Sequence, residues 1–114
     1  MITKEDVEKY LSEFKAKAKI FGIIYRDDRK KNIDAITALD IQPIQRTKVV
    51  MSLTTQDFSE VLTDTLNKSS DMWVFGKNFK NKEIYIKITM SDSVKQTICI
   101  SFHIAEHPIK YPFK

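Results

Sequence analysis

Near the carboxyl end, two neighbouring segments carry side chains that can stack on bases, hold phosphate and exchange protons. These side chains are Tyr85, Lys87, Ser101 and His103. Aromatic rings can stack on unpaired bases, lysine neutralises phosphate, and tyrosine or histidine can take part in proton transfer. The combination is typical of a site that binds single-stranded RNA and can cleave it.

These side chains alternate with apolar ones, and this alternation predicts two strands of an antiparallel meander. The apolar positions are Ile84, Ile86, Ile88, Ile98, Ile100, Phe102 and Ile104. Such a set must face a core. Matching the two apolar rows across the turn pairs Tyr85 with His103 and Lys87 with Ser101 on the opposite, outer face.

A third strand, Met72 to Phe79, precedes these two. A tight turn at residues 80–82 would place Lys77 beside Tyr85 and Phe75 beside Lys87, with Met72, Val74 and Gly76 facing inward. The predicted outer face is therefore Trp73, Phe75, Lys77, Tyr85, Lys87, Cys99, Ser101 and His103. An equally good interpretation places Trp73 and Phe75 under the amino-terminal helix or the carboxyl-terminal tail.

Two other residues near this face are ambiguous. His107 could share acid and base roles with His103, but the turn into Pro108 leaves its direction open, so it ranks second. Glu106 could orient one histidine or be solvated. Cys99 is read as a small, inert apolar residue.

The elements that must support this face come earlier in the chain. From Thr3 to Ile20, apolar residues at steps of three and four predict an amphipathic helix, with Thr3 as its cap and Gly22 ending the pattern. Ile23 to Tyr25 is a short β-prone run, and the charged residues 26–31 are expected to be an exposed connection.

Two short helices should follow. Asn32 can cap the first, and Pro43 suits the first turn of the second. Residues 54–70 are rich in polar side chains and are interpreted as a long loop holding one helical turn, and residues 91–93 as a turn. The prediction is one α+β domain over residues 1–114, with the helices packed on one face of a twisted antiparallel sheet.

Composition excludes several classes of protein. The chain has 114 residues with 42% hydrophobic and 30% charged residues, and no apolar run approaches the roughly 18 residues that span a bilayer. The charged amino end does not resemble a signal peptide, so we expect a cytoplasmic protein without membrane contact. One cysteine and two histidines argue against a disulfide or a structural metal.

The positive charge is unevenly distributed. Residues 1–71 hold 12 Lys or Arg against 12 Asp or Glu, whereas residues 72–114 hold seven lysines against three acidic residues. A local excess of this sign favours a polyanionic partner such as RNA, although many basic domains bind none.

Three motifs, DMWVFGK, EIYIKI and ICISFH, together with the order of elements, carry a family resemblance. From about Ile23 to His103, the chain resembles toxins of the motility quorum-sensing regulator (MqsR) family, within the RelE-like fold. The resemblance implies a ribosome-independent mRNA endoribonuclease of a type II toxin–antitoxin system, held inactive by a cognate antitoxin.

The resemblance also assigns positions. The family's tyrosine falls on Tyr85, with Lys87 two residues later, and its lysine near the carboxyl end falls on His103. A further family lysine falls on Glu60 and a family glutamine falls on Val74, so two polar positions differ here.

The leading hypothesis is RNA cleavage by attack of the substrate's own 2′-hydroxyl, which requires no metal or organic cofactor. Lys77 and Lys87 would hold the scissile phosphate while Tyr85 and His103 manage protons. Trp73, Phe75, Ser101 and His107 would contact the RNA. The competing hypothesis is a non-catalytic module that binds RNA or an antitoxin on the same face.

Overall fold

The computed structural model describes residues 1–63, 71–90 and 96–114. It confirms an α+β architecture in which three helices pack on one face of a five-stranded sheet. The helices are α1 (Lys4–Phe21), α2 (Lys30–Leu39) and α3 (Pro43–Met51), and the strands are β1 (Ile23–Tyr25), β2 (Phe58–Thr63), β3 (Asp71–Phe79), β4 (Lys82–Met90) and β5 (Thr97–Ile104). The strand order is β1-β5-β4-β3-β2. All pairs are antiparallel except β1 with β5, which makes the sheet mixed.

Helix α1 forms as its pattern predicts. The Thr3 hydroxyl accepts from the amide of Asp6, and the Asp6 carboxylate accepts from the amide of Thr3, so both halves of a capping box are present. Val7 and Phe14 are fully buried against the sheet. Gly22 ends the helix at φ +81°, a conformation that favours glycine.

Helix α2 starts earlier than predicted, because Arg29 and not Asn32 occupies the cap position. Asn32 is buried instead, and its Nδ2 donates to the carbonyl oxygens of Arg26 and Ile100, both at 2.9 Å. Its Oδ1 accepts from the amide of Phe102 at 3.0 Å. Asn32 therefore ties the first turn of α2 to β5.

The charged run at residues 26–31 is not simply the exposed connection that was expected. The two carboxylate oxygens of Asp27 accept from Arg46 at 2.8 and 3.0 Å, and the Arg46 side chain is only 8% exposed. The Arg46 guanidinium also lies 3.8 Å from the ring centroid of Tyr25. This run thus anchors α3 to the sheet.

Within residues 54–70, the predicted helical turn is confirmed, but part of the predicted loop is a strand. A single 3-10 turn, Thr55–Asp57, leads directly into β2. The strand forms because Phe58 is buried among aromatic rings and because β2 completes the edge of β3. The remainder of that loop, residues 64–70, and the turn predicted at residues 91–93 lie outside the described residues.

The turn between β3 and β4 differs from the prediction by one residue. It has two central residues, Lys80 and Asn81, with φ of +52° and +65°, as in the turns that join tightly twisted hairpins. The register therefore pairs Phe75 with Ile86 and Lys77 with Ile84. A slip of one residue reverses the faces of a strand, so Trp73, Phe75 and Lys77 face the helices, whereas Val74 and Gly76 lie on the outer face.

The pairing of β4 with β5 is confirmed where it was predicted. Tyr85 lies opposite His103 and Lys87 opposite Ser101. Beyond these pairs the register shifts, and Ile88 lies opposite Cys99. The outer position predicted for Cys99 is therefore wrong: it is 1% exposed in the core, where burial raises the pKa of its thiol to about 12.

No helix among the described residues is both long enough and apolar enough to cross a membrane.

Candidate functional site

A cleft of about 530 Å³ opens on the outer face of the sheet, next to the start of α2. It brings together most of the side chains that the sequence analysis selected. Its lining residues are Arg29, Lys31, Ser59, Glu60, Tyr85, Lys87, Ser101, His103, Glu106, His107, Pro108, Ile109 and Lys110.

Tyr85 and His103 form the centre of this cleft. Their rings stack with centroids 5.2 Å apart and planes 16° from parallel. The Nδ1 of His103 lies 3.0 Å from the carbonyl oxygen of Ile104, and since that oxygen can only accept, Nδ1 carries the proton. Nε2 is then the nitrogen that can exchange a proton with a substrate, accepting one when the ring is neutral and donating one when the ring is charged.

The Tyr85 hydroxyl is set up to donate a hydrogen bond. Burial raises the pKa of this phenol, the nearby Glu60 carboxylate raises it further, and Arg29 opposes the change. Tyr85 therefore keeps its proton at neutral pH. A neutral phenol in a cationic cleft can donate to a phosphate oxygen.

Arg29 is a member of the site that the sequence analysis missed. Its Nη1 donates to the carbonyl oxygen of Ile100 and to the hydroxyl of Ser101, both at 3.2 Å. Ser101 is 1% exposed, so it positions Arg29 and has almost no surface that could contact RNA directly. In the sequence Arg29 is one of six consecutive charged residues, and only tertiary contacts single it out.

Glu106 faces Lys31 across the mouth of the cleft. Its Oε1 accepts from the Lys31 ammonium at 2.6 Å, and this contact holds the pKa of the carboxyl below its ordinary value. The charges of His103 and His107 act in the same direction but less strongly. Of the two roles considered for Glu106, the exposed one is observed, with a lysine as its partner.

The cleft as a whole is positively charged. Its cations are Arg29, Lys31, Lys87 and Lys110, against the two carboxylates of Glu60 and Glu106. Such a surface attracts the phosphates of a nucleic acid and binds them in a salt-dependent way.

Three predicted site residues lie on the other side of the sheet. Lys77 donates to the Asp57 carboxylate at 3.0 Å and reaches the carbonyl oxygen of Ser52 at 3.5 Å. Trp73 stacks on Tyr10 of α1 with ring centroids 4.0 Å apart. Phe75 has no exposed surface. The alternative interpretation, a position under the amino-terminal helix, is therefore confirmed for Trp73, whereas Phe75 is buried against Phe58. None of the three lines the cleft.

His107 does line the cleft, together with the chain that follows it. This carboxyl-terminal tail, residues 105–114, crosses the outer face of the sheet. Tyr111 donates from its hydroxyl to Glu83 Oε2 at 2.7 Å, which fixes the tail beside β4.

The motifs that line this cleft can be compared with those of known proteins. No curated protein matches the chain closely. Residues 8–104 match the sequence profile of a family described as "Motility quorum-sensing regulator, toxin of MqsA". This match covers α1 from residue 8 onward, all five strands of the described sheet and every cleft residue up to His103. The chain belongs to the motility quorum-sensing regulator family, and this membership identifies it as a toxin of a toxin–antitoxin system with an antitoxin as its partner.

Proposed function

We propose that the protein is an endoribonuclease that cleaves mRNA through the substrate's own 2′-hydroxyl and that a cognate antitoxin inhibits it. The observation that carries this proposal is the meeting of Tyr85, Lys87 and His103 in one positively charged cleft. A phosphate ligand, a hydrogen-bond donor and a proton-exchanging ring are the groups that this reaction requires.

Arg29 and Lys87 are the residues best suited to the scissile phosphate. Both line the cleft, and Arg29 is held in place through Ser101 and the backbone of β5. A positioned guanidinium presents several donors to phosphate oxygens, whereas lysine supplies a compact charge. Arg29 thus takes the part that the sequence analysis gave to Lys77.

Proton transfer falls to His103 and Glu60, with Tyr85 as the hydrogen-bond donor. The Glu60 carboxylate accepts the proton of the 2′-hydroxyl as the 2′-oxygen forms its bond to phosphorus. The protonated His103 gives a proton to the 5′-oxygen as the bond between that oxygen and phosphorus breaks. The Tyr85 hydroxyl donates to a phosphate oxygen on which charge accumulates.

The products of this step are a 2′,3′-cyclic phosphate and a 5′-hydroxyl. Glu60 then releases its proton to water and His103 takes up a proton from water, so both residues return to their starting states. The step involves no change of oxidation state, and every proton that moves is accounted for by a side chain of the cleft.

The test uses purified toxin and a long single-stranded RNA in the presence of EDTA. We expect fragments with 5′-hydroxyl ends, and no cleavage of the same sequence made as DNA, which lacks the attacking hydroxyl. Cleavage of the DNA strand, or fragments with 5′-phosphate ends, would rule out the proposed chemistry. Loss of cleavage in EDTA that returns with added metal would rule out metal independence.

The second candidate is a module that binds RNA without cleaving it. The residues at positions 60 and 74 favour this alternative, because the lysine and the glutamine that the family resemblance places there are Glu60 and Val74 in this chain. Under this alternative the purified toxin retards RNA in a gel but leaves it intact. In cells, high expression without the antitoxin then leaves transcripts whole, whereas the nuclease fragments them and arrests growth.

A further inference from the structure

The carboxyl-terminal tail lies outside the part of the chain that matches the family, which ends at residue 104. Past that point, the amide of Ala105 donates to the carbonyl oxygen of Glu83 at 2.8 Å. Both carboxylate oxygens of Glu83 then accept from the tail: Oε1 from the amide of Ile109 at 3.2 Å and Oε2 from the hydroxyl of Tyr111 at 2.7 Å. One residue of β4 therefore fixes three points of the tail.

The sheet provides a matching place for this segment. A Cβ added to Gly76 would run into the Tyr111 hydroxyl and lie 2.8 Å from Cδ1 of Ile109. The outer face of β3 thus lacks a side chain at the place where the tail crosses. Any larger residue at position 76 would push the tail away from the sheet.

The far end of the tail is anchored as well. The ring of Phe113 stacks on Phe58 with centroids 5.8 Å apart and planes 20° from parallel. Phe58 is itself 3% exposed and belongs to the core. Fixed at Glu83 and at Phe58, the tail forms one wall of the cleft.

The part of the tail that lines the cleft is residues 106–110. Among the cations of the cleft, Lys31 is paired with Glu106, and Arg29 contacts β5 beside Ser101. Lys110 also lines the cleft, on the tail segment that Glu83 holds in place. The ammonium of Lys110 therefore adds positive charge to the cleft, which an RNA strand bound at Tyr85 and His103 would occupy.

We propose that the tail builds a subsite for single-stranded RNA, in which Lys110 contacts a backbone phosphate next to the scissile one. The proposal rests on the proposed function, because it extends the same substrate along the same cleft. The subsite lengthens the RNA segment that the toxin holds and leaves proton transfer to the residues at the centre. Glu83 acts as the positioning residue, through the tail.

The test measures binding of mixed-sequence 2′-fluoro oligonucleotides, which cannot supply the attacking hydroxyl, at lengths of two and eight nucleotides. Lys110→Ala should weaken binding of the eight-nucleotide strand by roughly fivefold at low salt, the upper range for one exposed charge contact. The slope of log affinity against log salt should fall by about 0.7 for one lost phosphate contact. Binding of the dinucleotide should not change.

Two variants make the test specific. Lys82→Ala removes an exposed lysine outside the cleft and should change the binding of neither the two-nucleotide nor the eight-nucleotide strand. Glu83→Ala removes a negative charge, so charge alone predicts tighter binding, whereas loss of the tail's anchor should weaken binding of the eight-nucleotide strand. Thermal melting of each variant verifies that the sheet still folds.

Three results would overturn the subsite: Lys110→Ala behaving like Lys82→Ala, tighter binding by Glu83→Ala, or no binding of either oligonucleotide by the wild-type chain. The test does not depend on cleavage. If the wild-type protein binds in the length-dependent way but leaves RNA intact, the subsite stands and the nuclease proposal fails.

Discussion

His103 is held in one tautomer by a backbone carbonyl and in one plane by the Tyr85 ring, so its chemistry can be tested apart from its packing. His103→Ala should lower the single-turnover cleavage rate by roughly 10² to 10⁴-fold, the range for a lost acid or base. The melting temperature should change little, because the ring is only partly buried.

The matched control is His107→Ala, which removes the second imidazole of the cleft. It should reduce cleavage much less than His103→Ala. If His103→Ala lowers the melting temperature while its folded fraction cleaves normally, His103 has no part in the mechanism.

For Lys77 we expect the opposite result, a loss of stability without a loss of cleavage. Its ammonium is paired with Asp57, whose side chain is 16% exposed, on the face of the sheet away from the cleft. Lys77→Ala should lower the free energy of unfolding by about 1 kcal/mol, because the Asp57 carboxylate loses its ion pair and is left with its hydrogen bonds from Thr54. Cleavage per folded molecule should be unchanged, and chemical denaturation with a cleavage assay on one preparation measures both. A large loss of cleavage with normal stability would return Lys77 to the active machinery.

At the scale of elements, the contact between α2 and β5 positions the site. Asn32 satisfies the carbonyl of Ile100 and the amide of Phe102, on either side of Ser101. Asn32→Ala should lower the free energy of unfolding by about 1 to 3 kcal/mol, because buried backbone groups lose their partners.

The same substitution should also reduce cleavage beyond the unfolded fraction, since Ser101 and His103 lie on the strand that Asn32 holds. Asp34→Ala, on the same helix but in an exposed ion pair, is the control and should cost less than about 0.5 kcal/mol. Equal effects of the two substitutions on stability would contradict this role for Asn32.

The elements also show which parts of the site are predictable from sequence. Tyr85 and His103 were correctly paired because β4 and the end of β5 each alternate cleanly between apolar and polar residues. In β3 both rows contain apolar residues, so the pattern could not choose a face, and a turn shorter by one residue decided it.

The other errors have the same kind of cause. In β5, the register shift beside Ile100 reverses which residues face the core, and an isoleucine at that position does not indicate such a shift. Arg29 enters the site through contacts with residues more than 70 positions away. Interactions of this range leave no local pattern in a single sequence.

At the scale of the whole molecule, alkaline pH should destabilise the fold. Burial raises the pKa of all four tyrosines above the ordinary value of 10.0. As pH rises past about 10, the unfolded chain releases phenol protons that the folded chain retains, so the free energy of unfolding decreases. Stability from these groups is therefore complete below this pH and is lost above it.

The melting temperature measured across pH 8 to 12 should fall above about pH 10, together with the appearance of phenolate absorbance. Tyr10→Phe should weaken this dependence, because the Tyr10 hydroxyl is buried and forms no hydrogen bond with any residue that the structure describes. Full ionisation of the tyrosines near pH 10 in a protein that stays folded would refute the prediction.

The burial of Cys99 has a practical consequence for following the motions of this fold. It is the single cysteine of the chain, it is 1% exposed, and its raised pKa keeps the thiol protonated at neutral pH. A thiol-reactive dye can therefore label the chain only in moments when the sheet and helices separate. The labelling rate therefore measures how often the fold opens at Cys99. A lower rate in the presence of antitoxin or RNA would show that the bound partner stabilises the closed fold.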